Sequence, residues 1–149
     1  MTTTADAQSA INSSRAPLTA HDFLAIDSSL SDEERLIRDT VRAFVRRDLL
    51  DRLPDAYAKG HLPYGFPTAA GQLGLLGMHL HGYGCPGMSA VSYGLACMEL
   101  EAGDSGLRSF VSVQGSLAMF PIWKYGSEEQ KQEWLPRMAA GEADRKSVV

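Results

Sequence analysis

The stretch Ser31-Asp32-Glu33-Glu34-Arg35-Leu36-Ile37-Arg38-Asp39-Thr40-Val41-Arg42-Ala43-Phe44-Val45-Arg46-Arg47-Asp48-Leu49 decides the fold class. Ser31 followed by Glu34 has the form of a capping box, in which hydroxyl and carboxylate each satisfy a backbone amide that a helix leaves unpaired at its start. Behind it, Ile37, Val41, Phe44, Val45 and Leu49 recur at helical spacing, with Arg35, Arg38, Arg42 and Arg46 on other faces. This predicts a long amphipathic helix ending before Pro54, with a further turn stopped at Gly60.

Working outward, residues from about Phe66 to Leu75 predict a shorter helix whose end Gly74 and Gly77 mark. His79 to Ser89 holds Gly82, Gly84, Pro86 and Gly87 and reads as a tight turn between helices. It lacks the Lys and Ser/Thr of a P-loop and the strand–loop–helix setting of a dinucleotide fingerprint. Val91, Leu95, Met98 and Ala102 lie a helical turn apart and predict a buried face, with methionine as core filler. Asp104 is placed to cap the next helix, where Leu107, Phe110, Val111, Gln114, Leu117 and Ala118 follow one stripe. Pro121 bends or interrupts that helix and Gly126 ends it. Ser127-Glu128-Glu129-Gln130 is a second capping box, opening a helix through about Met138. No alternating strand pattern of useful length occurs, so the expected fold is all-α, with about five helices.

The 149 residues suit one domain with a sizeable core. Fourteen basic against eighteen acidic residues give net −4 with no basic block, which excludes nucleic acid as the natural partner. Cys85 and Cys97 read as free thiols of a reducing compartment. His79 and His81 stand near Cys85 without the further ligands that zinc needs, so no metal is expected. No apolar run approaches the ~20 residues of a membrane span. Residues 1–25 read as a disordered leader, Thr/Ser/Ala-rich up to about Pro17 and without a secretory signal's apolar centre, which points to a bacterial cytoplasmic protein.

One cation stands among small residues in Asp104-Ser105-Gly106-Leu107-Arg108-Ser109-Phe110-Val111-Ser112. The plain reading is a surface pair of Asp104 with Arg108 one turn apart. The functional reading is a guanidinium held by Glu101 and lining a pocket, where it offers a bidentate seat to a carboxylate.

Several blocks resemble the N-terminal part of the acyl-CoA dehydrogenase superfamily, particularly its glutaryl-CoA dehydrogenase branch. They are residues 30–40, Leu73-Gly74-Leu75-Leu76-Gly77, Tyr83-Gly84-Cys85-Pro86-Gly87, Tyr93-Gly94-Leu95, Tyr125-Gly126-Ser127-Glu128-Glu129-Gln130-Lys131 and Leu135-Pro136. The most specific run is Glu99-Leu100-Glu101-Ala102-Gly103-Asp104-Ser105-Gly106-Leu107-Arg108-Ser109 with Val111-Ser112-Val113-Gln114. The resemblance implies that residues 26–142 are the N-terminal helical domain, with the middle β-domain and the C-terminal helical bundle missing. It implies FAD as cofactor, an acyl-CoA substrate, electron-transfer flavoprotein or another acceptor, and a homotetramer for the full-length protein. It further implies oxidation and decarboxylation of glutaryl-CoA to crotonyl-CoA, a step of lysine and tryptophan degradation, in the mitochondrial matrix if the source is eukaryotic. By the same match Arg108 would bind the distal carboxylate, Glu101 would orient Arg108, and Ser109 and Ser112 would line the acyl pocket. The catalytic base and the flavin-contacting residues would lie outside this chain, leaving the fragment inactive by itself.

The physics of such a pocket agrees with a fixed cation. A carboxylate at the closed end of an apolar pocket is costly unless paired, and fixed ends hold the reacting carbons in place. Departures from the family pattern are Gly84-Cys85-Pro86-Gly87 in place of a Gly-Gly loop and Leu107 in place of an aromatic residue. Residues 143–149 are a further departure and read as a non-native tail from truncation. Asp144-Arg145-Lys146-Ser147-Val148-Val149 is what a common sequencing adapter encodes in one frame. Two rival readings stand beside this one: a dehydrogenase for a monocarboxylic acyl-CoA, and a non-catalytic helical interaction module.

Overall fold

The computed structural model describes residues 24–143, and the chain divides between Arg35 and Leu36 into two compact units. In the first, a 3-10 turn (Ile26–Ser29) precedes the start of helix α1 (Asp32–Phe44). The capping box forms: Glu34 N donates to Ser31 Oγ at 3.2 Å and Ser31 N to Glu34 Oε2 at 2.9 Å. Arg35 reaches the carbonyls of Asp27 (2.9 Å) and Leu30 (2.5 Å) and the carboxylate of Asp32 (2.7 Å), tying the turn to the helix start. The expected leader and tail fall mostly on residues 1–23 and 144–149, which lie outside the described residues.

In the second unit α1 runs on without a break. A π-helical turn (Val45–Leu49) and a 3-10 turn (Leu50–Arg52) lead into α2 (Leu53–Ala58). The rod therefore passes Pro54 instead of stopping before it, because Pro54 sits in the first turn of α2, where a missing N–H leaves little unsatisfied. Val41, Phe44, Val45 and Leu49 enter the core as their spacing predicts. Helix α3 (Phe66–Gln72) adds Phe66, whose ring lies 6.4 Å from Phe44 and 5.7 Å from Phe110. Gly71 of α3 meets the end of the last helix so closely that an added Cβ would stand 2.4 Å from the Ala140 backbone.

The Gly-rich segment is a small hairpin, not a plain turn between helices. Strands β1 (His81–Gly82) and β2 (Cys85–Pro86) pair antiparallel with His81 opposite Pro86. Its central residues Tyr83 and Gly84 have φ of +54° and +80°, the left-handed pair that a tight hairpin turn demands. Tyr83 pays for an unusual backbone with a useful contact, donating its hydroxyl proton to Glu128 at 2.9 Å.

Helix α4 (Ala90–Gly103) corrects the predicted face. Val91 and Met98 are about half exposed, Ala102 is exposed and Leu95 is only part-buried, while Ser92, Ala96, Glu99 and Leu100 are buried. The helix is apolar almost all round, so spacing alone could not choose a side. A charge chose it. Glu99 turns inward because Arg42 of α1 grips it, Nε to Oε2 at 3.0 Å and Nη2 to Oε1 at 2.7 Å. Arg38, expected on an outer face, is also buried and bonds Asp39 at 2.9 Å.

The next rod comprises α5 (Ser105–Ser112), a π-helical turn (Val113–Met119) and α6 (Phe120–Tyr125). The wide turn adds a residue to the stripe: Leu107, Val111 and Gln114 are buried as predicted, but Met119 is buried next, with Ala118 part-buried and Leu117 exposed. It also eases Pro121 into the rod without a break. Helix α7 (Glu128–Ala139) opens on the second capping box, with Gln130 N to Ser127 Oγ at 3.3 Å and Ser127 N to Gln130 Oε1 at 2.9 Å. Ala143, set at the start of the tail by the sequence reading, is buried, and its carbonyl accepts from Gln114 Nε2 at 2.8 Å. Among the described residues the architecture is five helical rods and one short hairpin.

Two substitutions test this packing in chemical-denaturation experiments. Gly71→Val should destabilise the chain by about 2 kcal/mol or more, because the Ala140 backbone must move. Arg42→Met should cost about 3 kcal/mol by leaving buried Glu99 without its guanidinium. Unchanged denaturation midpoints would refute these contacts.

Candidate binding site between helices α4 and α5

Asp104 is the single residue between α4 and α5, and its backbone is extended at φ −164° and ψ 136°. Its N–H donates to Leu100 O at 3.0 Å, closing α4, while its Oδ1 accepts from Gly106 N at 2.7 Å, opening α5. The chain reverses there, and α5 folds back along α4. Its carboxylate is committed to the cap, and the ion pair of Arg108 is with Glu101 instead.

That pair is the centre of the site. Arg108 Nε donates to Glu101 Oε2 at 2.6 Å, with side chains 38% and 48% exposed. The Glu101 carboxylate pushes Arg108 above its already high ordinary pKa, so the guanidinium keeps its charge throughout the working range. Among the described residues, the hydrogen bond and ion pair of Arg108 both use Nε. Ser109 and Ser112 are part-buried on the same helix, and the Ser112 hydroxyl donates back to Ser109 O at 3.2 Å. The structure brings Glu101 and Arg108 together, while Ser112 gives its proton within its own helix.

Further polar groups line the seam that the sequence reading passed over. Tyr93, Cys97 and Glu101 stand at i, i+4 and i+8 on α4, a periodicity visible in the sequence once α4 is turned the right way. The charge of Arg108 reaches both Cys97 and Tyr93, and Ser116 of the π-helical turn lies beside the Tyr93 hydroxyl. Burial pushes the Tyr93 phenol and the Cys97 thiol up, so both hold their protons at neutral pH. The His79 ring backs Tyr93 at 5.4 Å and Phe120 at 6.4 Å, and burial pushes its pKa down.

Other candidates resolve plainly. Cys85 is half-buried with its thiol pushed up to about 11, a poor nucleophile, and both cysteines are free. Among the described residues no group of three His, Cys, Asp or Glu could hold a metal, and no helix is long and apolar enough to cross a membrane. A groove of about 460 Å³ lies elsewhere, between α2 and the start of α5, and includes Tyr57, His61 and Gly106.

Residues 31–142 match the family described as acyl-CoA dehydrogenase, N-terminal domain. The human mitochondrial short-chain specific acyl-CoA dehydrogenase is 32% identical over 118 residues, covering 76% of this chain and 28% of that protein. A glutaryl-CoA dehydrogenase from Mycobacterium smegmatis, solved in complex with FADH2, superposes with a TM-score of 0.80 at 58% identity, covering 83% of this chain and 32% of that one. Butyryl-CoA dehydrogenase from Megasphaera elsdenii gives 0.68 at 27% identity over 77% of this chain and 31% of its own. The chain thus spans about a third or less of the relatives it matches.

Among the described residues, the glycine-rich segment offers FAD, the family's cofactor, no phosphate cradle. The one glycine-rich segment is closed on itself as the hairpin, where even a Cβ on Gly87 would stand 2.3 Å from the His81 ring. A dinucleotide phosphate is bound by an open row of backbone amides, which this closed hairpin does not present. Fold, family match and structural neighbours converge: the chain belongs to the acyl-CoA dehydrogenase family, as its N-terminal helical domain.

Proposed function

We propose that the complete protein is an FAD-dependent acyl-CoA dehydrogenase acting on a dicarboxylic acyl-CoA, glutaryl-CoA being the substrate, with crotonyl-CoA and CO₂ as products. The observation that carries this reading is the Arg108 guanidinium, held through Nε by Glu101 at 2.6 Å, with Ser109 and Ser112 on the same helix. A planar cation so oriented matches a carboxylate bidentately. Ser109 and Ser112 are the small, part-buried side chains of α5 that would flank a short acyl chain.

In this reading Arg108 binds the distal carboxylate, Glu101 orients Arg108, and Ser109 and Ser112 line the acyl pocket. Holding both ends of a five-carbon acyl group fixes the carbons between them, which is where orientation lowers a barrier. The base, the flavin contacts, the electron acceptor and the homotetramer interface are assigned to the rest of the complete protein. The 58% identity to a glutaryl-CoA dehydrogenase supports the choice of substrate over the shorter monocarboxylic acyl-CoAs.

The test is substrate profiling of the complete dehydrogenase. Arg108→Met should lower kcat/KM for glutaryl-CoA by about a hundredfold or more while changing that for butyryl-CoA by less than about threefold. Equal losses on the two substrates would make Arg108 a structural residue and the enzyme one for monocarboxylic acyl groups.

A further inference from the structure

Glu101 lies in the last turn of α4 and Arg108 is the fourth residue of α5, so their 2.6 Å contact is only as fixed as the junction between the two helices. Asp104 holds α5 to that junction. Its Oδ1 takes Gly106 N at 2.7 Å and its carbonyl takes Leu107 N at 3.1 Å, on the two residues that lead into Arg108. Gly106 shares in this arrangement through the side chain it lacks. A Cβ there would stand 2.7 Å from Asp104 Oδ1 and 3.7 Å from Leu62 Cδ2, so a larger residue crowds the carboxylate off the amide it caps. No left-handed backbone calls for glycine at this position, and glycine is otherwise a poor helix former. On the other side of Asp104, a Cβ on Gly103 would stand 2.5 Å from Val45 Cγ1, so the end of α4 is seated closely as well.

Resting on the reading above, we infer that Asp104, seated against Gly106, is a positioning residue for substrate choice: its cap sets Arg108 against Glu101 and so fixes where a distal carboxylate is accepted. It acts as a hydrogen-bond acceptor and not as a charge. The ion pair of Arg108 is with Glu101, while Oδ1 of Asp104 goes to a backbone amide. Asparagine caps a helix about as well as aspartate and alanine does not, so a capping role and an ion-pairing role separate by substitution. Gly106→Ala separates positioning from helix stability, because alanine is the better helix former and yet crowds the carboxylate.

The experiment measures, in the complete dehydrogenase, the ratio of kcat/KM for glutaryl-CoA to that for butyryl-CoA, with thermal melting of each variant alongside. Asp104→Ala should lower the ratio about fivefold, Asp104→Asn should hold it within about twofold of the parent, and Gly106→Ala should lower it about as far as Asp104→Ala does. In the Arg108→Met background Asp104→Ala should lower the ratio no further. Equal losses in Asp104→Asn and Asp104→Ala would assign the carboxylate a charge role and overturn the inference. So would an unchanged ratio in Asp104→Ala or in Gly106→Ala, or a further loss in the Arg108→Met background. Should Asp104→Ala fail to fold, the other two variants decide: a lowered ratio in Gly106→Ala with a parental ratio in Asp104→Asn upholds the cap, and any other pairing refutes it. A nonselective Arg108→Met defeats the dicarboxylate reading itself, whereas a selective Arg108→Met with an indifferent Asp104→Ala defeats only this inference.

Discussion

The site depends on one extended residue. Were α4 and α5 a single straight helix, Glu101 and Arg108 would share a face but stand about 10.5 Å apart along its axis. Asp104 reverses the chain between them and brings Nε to 2.6 Å from the carboxylate. It manages this because its three polar groups each satisfy a helix end: the N–H closes α4, the carboxylate takes Gly106 N, and the carbonyl takes Leu107 N at 3.1 Å. A residue with no side-chain acceptor would leave the first amides of α5 without a partner.

Glu99 and Glu101 show how the same chemistry serves opposite ends two residues apart. On a helix they project roughly 200° apart, so one must face the core if the other faces out. Glu99 goes inward, 7% exposed, and is matched by both forks of Arg42. Such a pair stabilises little against an apolar alternative but is severe to break, so it locks the rotation of α4 against α1. Glu101 is half exposed and takes a single bond from Arg108, a contact that adds little to stability in water. Its effect is to orient. The first pair sets which way α4 faces, and that setting is what turns Tyr93, Cys97 and Glu101 toward α5.

Much of the fold was legible in the sequence because its signals are local. Both capping boxes, the Asp104 cap, the glycine stops and the first amphipathic stripe each depend on a few adjacent residues, and each formed. What could not be read depends on distant partners. The face of α4 was set by Arg42, remote in sequence, and a helix apolar on nearly every side carries no internal signal of which side wins. The π-helical turn at Val113–Met119 is invisible to a fixed 3.6-residue period, so the stripe was followed to Leu117 and Ala118 when burial passes to Met119. Of the candidate site, Arg108 and Glu101 were legible through resemblance, while Tyr93 and Cys97 were hidden by the wrong rotation of α4.

A single cation held by one carboxylate is a selective device for physical reasons. On the proposed reading, a dicarboxylic acyl group replaces the water on the terminal nitrogens of Arg108 with a matched anion. A monocarboxylic group of similar length would strip the same water and offer only methyl hydrogens in return. Sites built around hydrogen-bonding groups reject such analogues far more strongly than apolar pockets reject an extra methylene, because the protein's own donors are left unpaired. Glu101 sharpens the contrast. By occupying Nε it compensates the charge of Arg108, yet it leaves the planar fork that a carboxylate fits. A lysine at position 108 would supply the charge but neither the fork nor the separate nitrogen for Glu101, and the orientation would be lost with them.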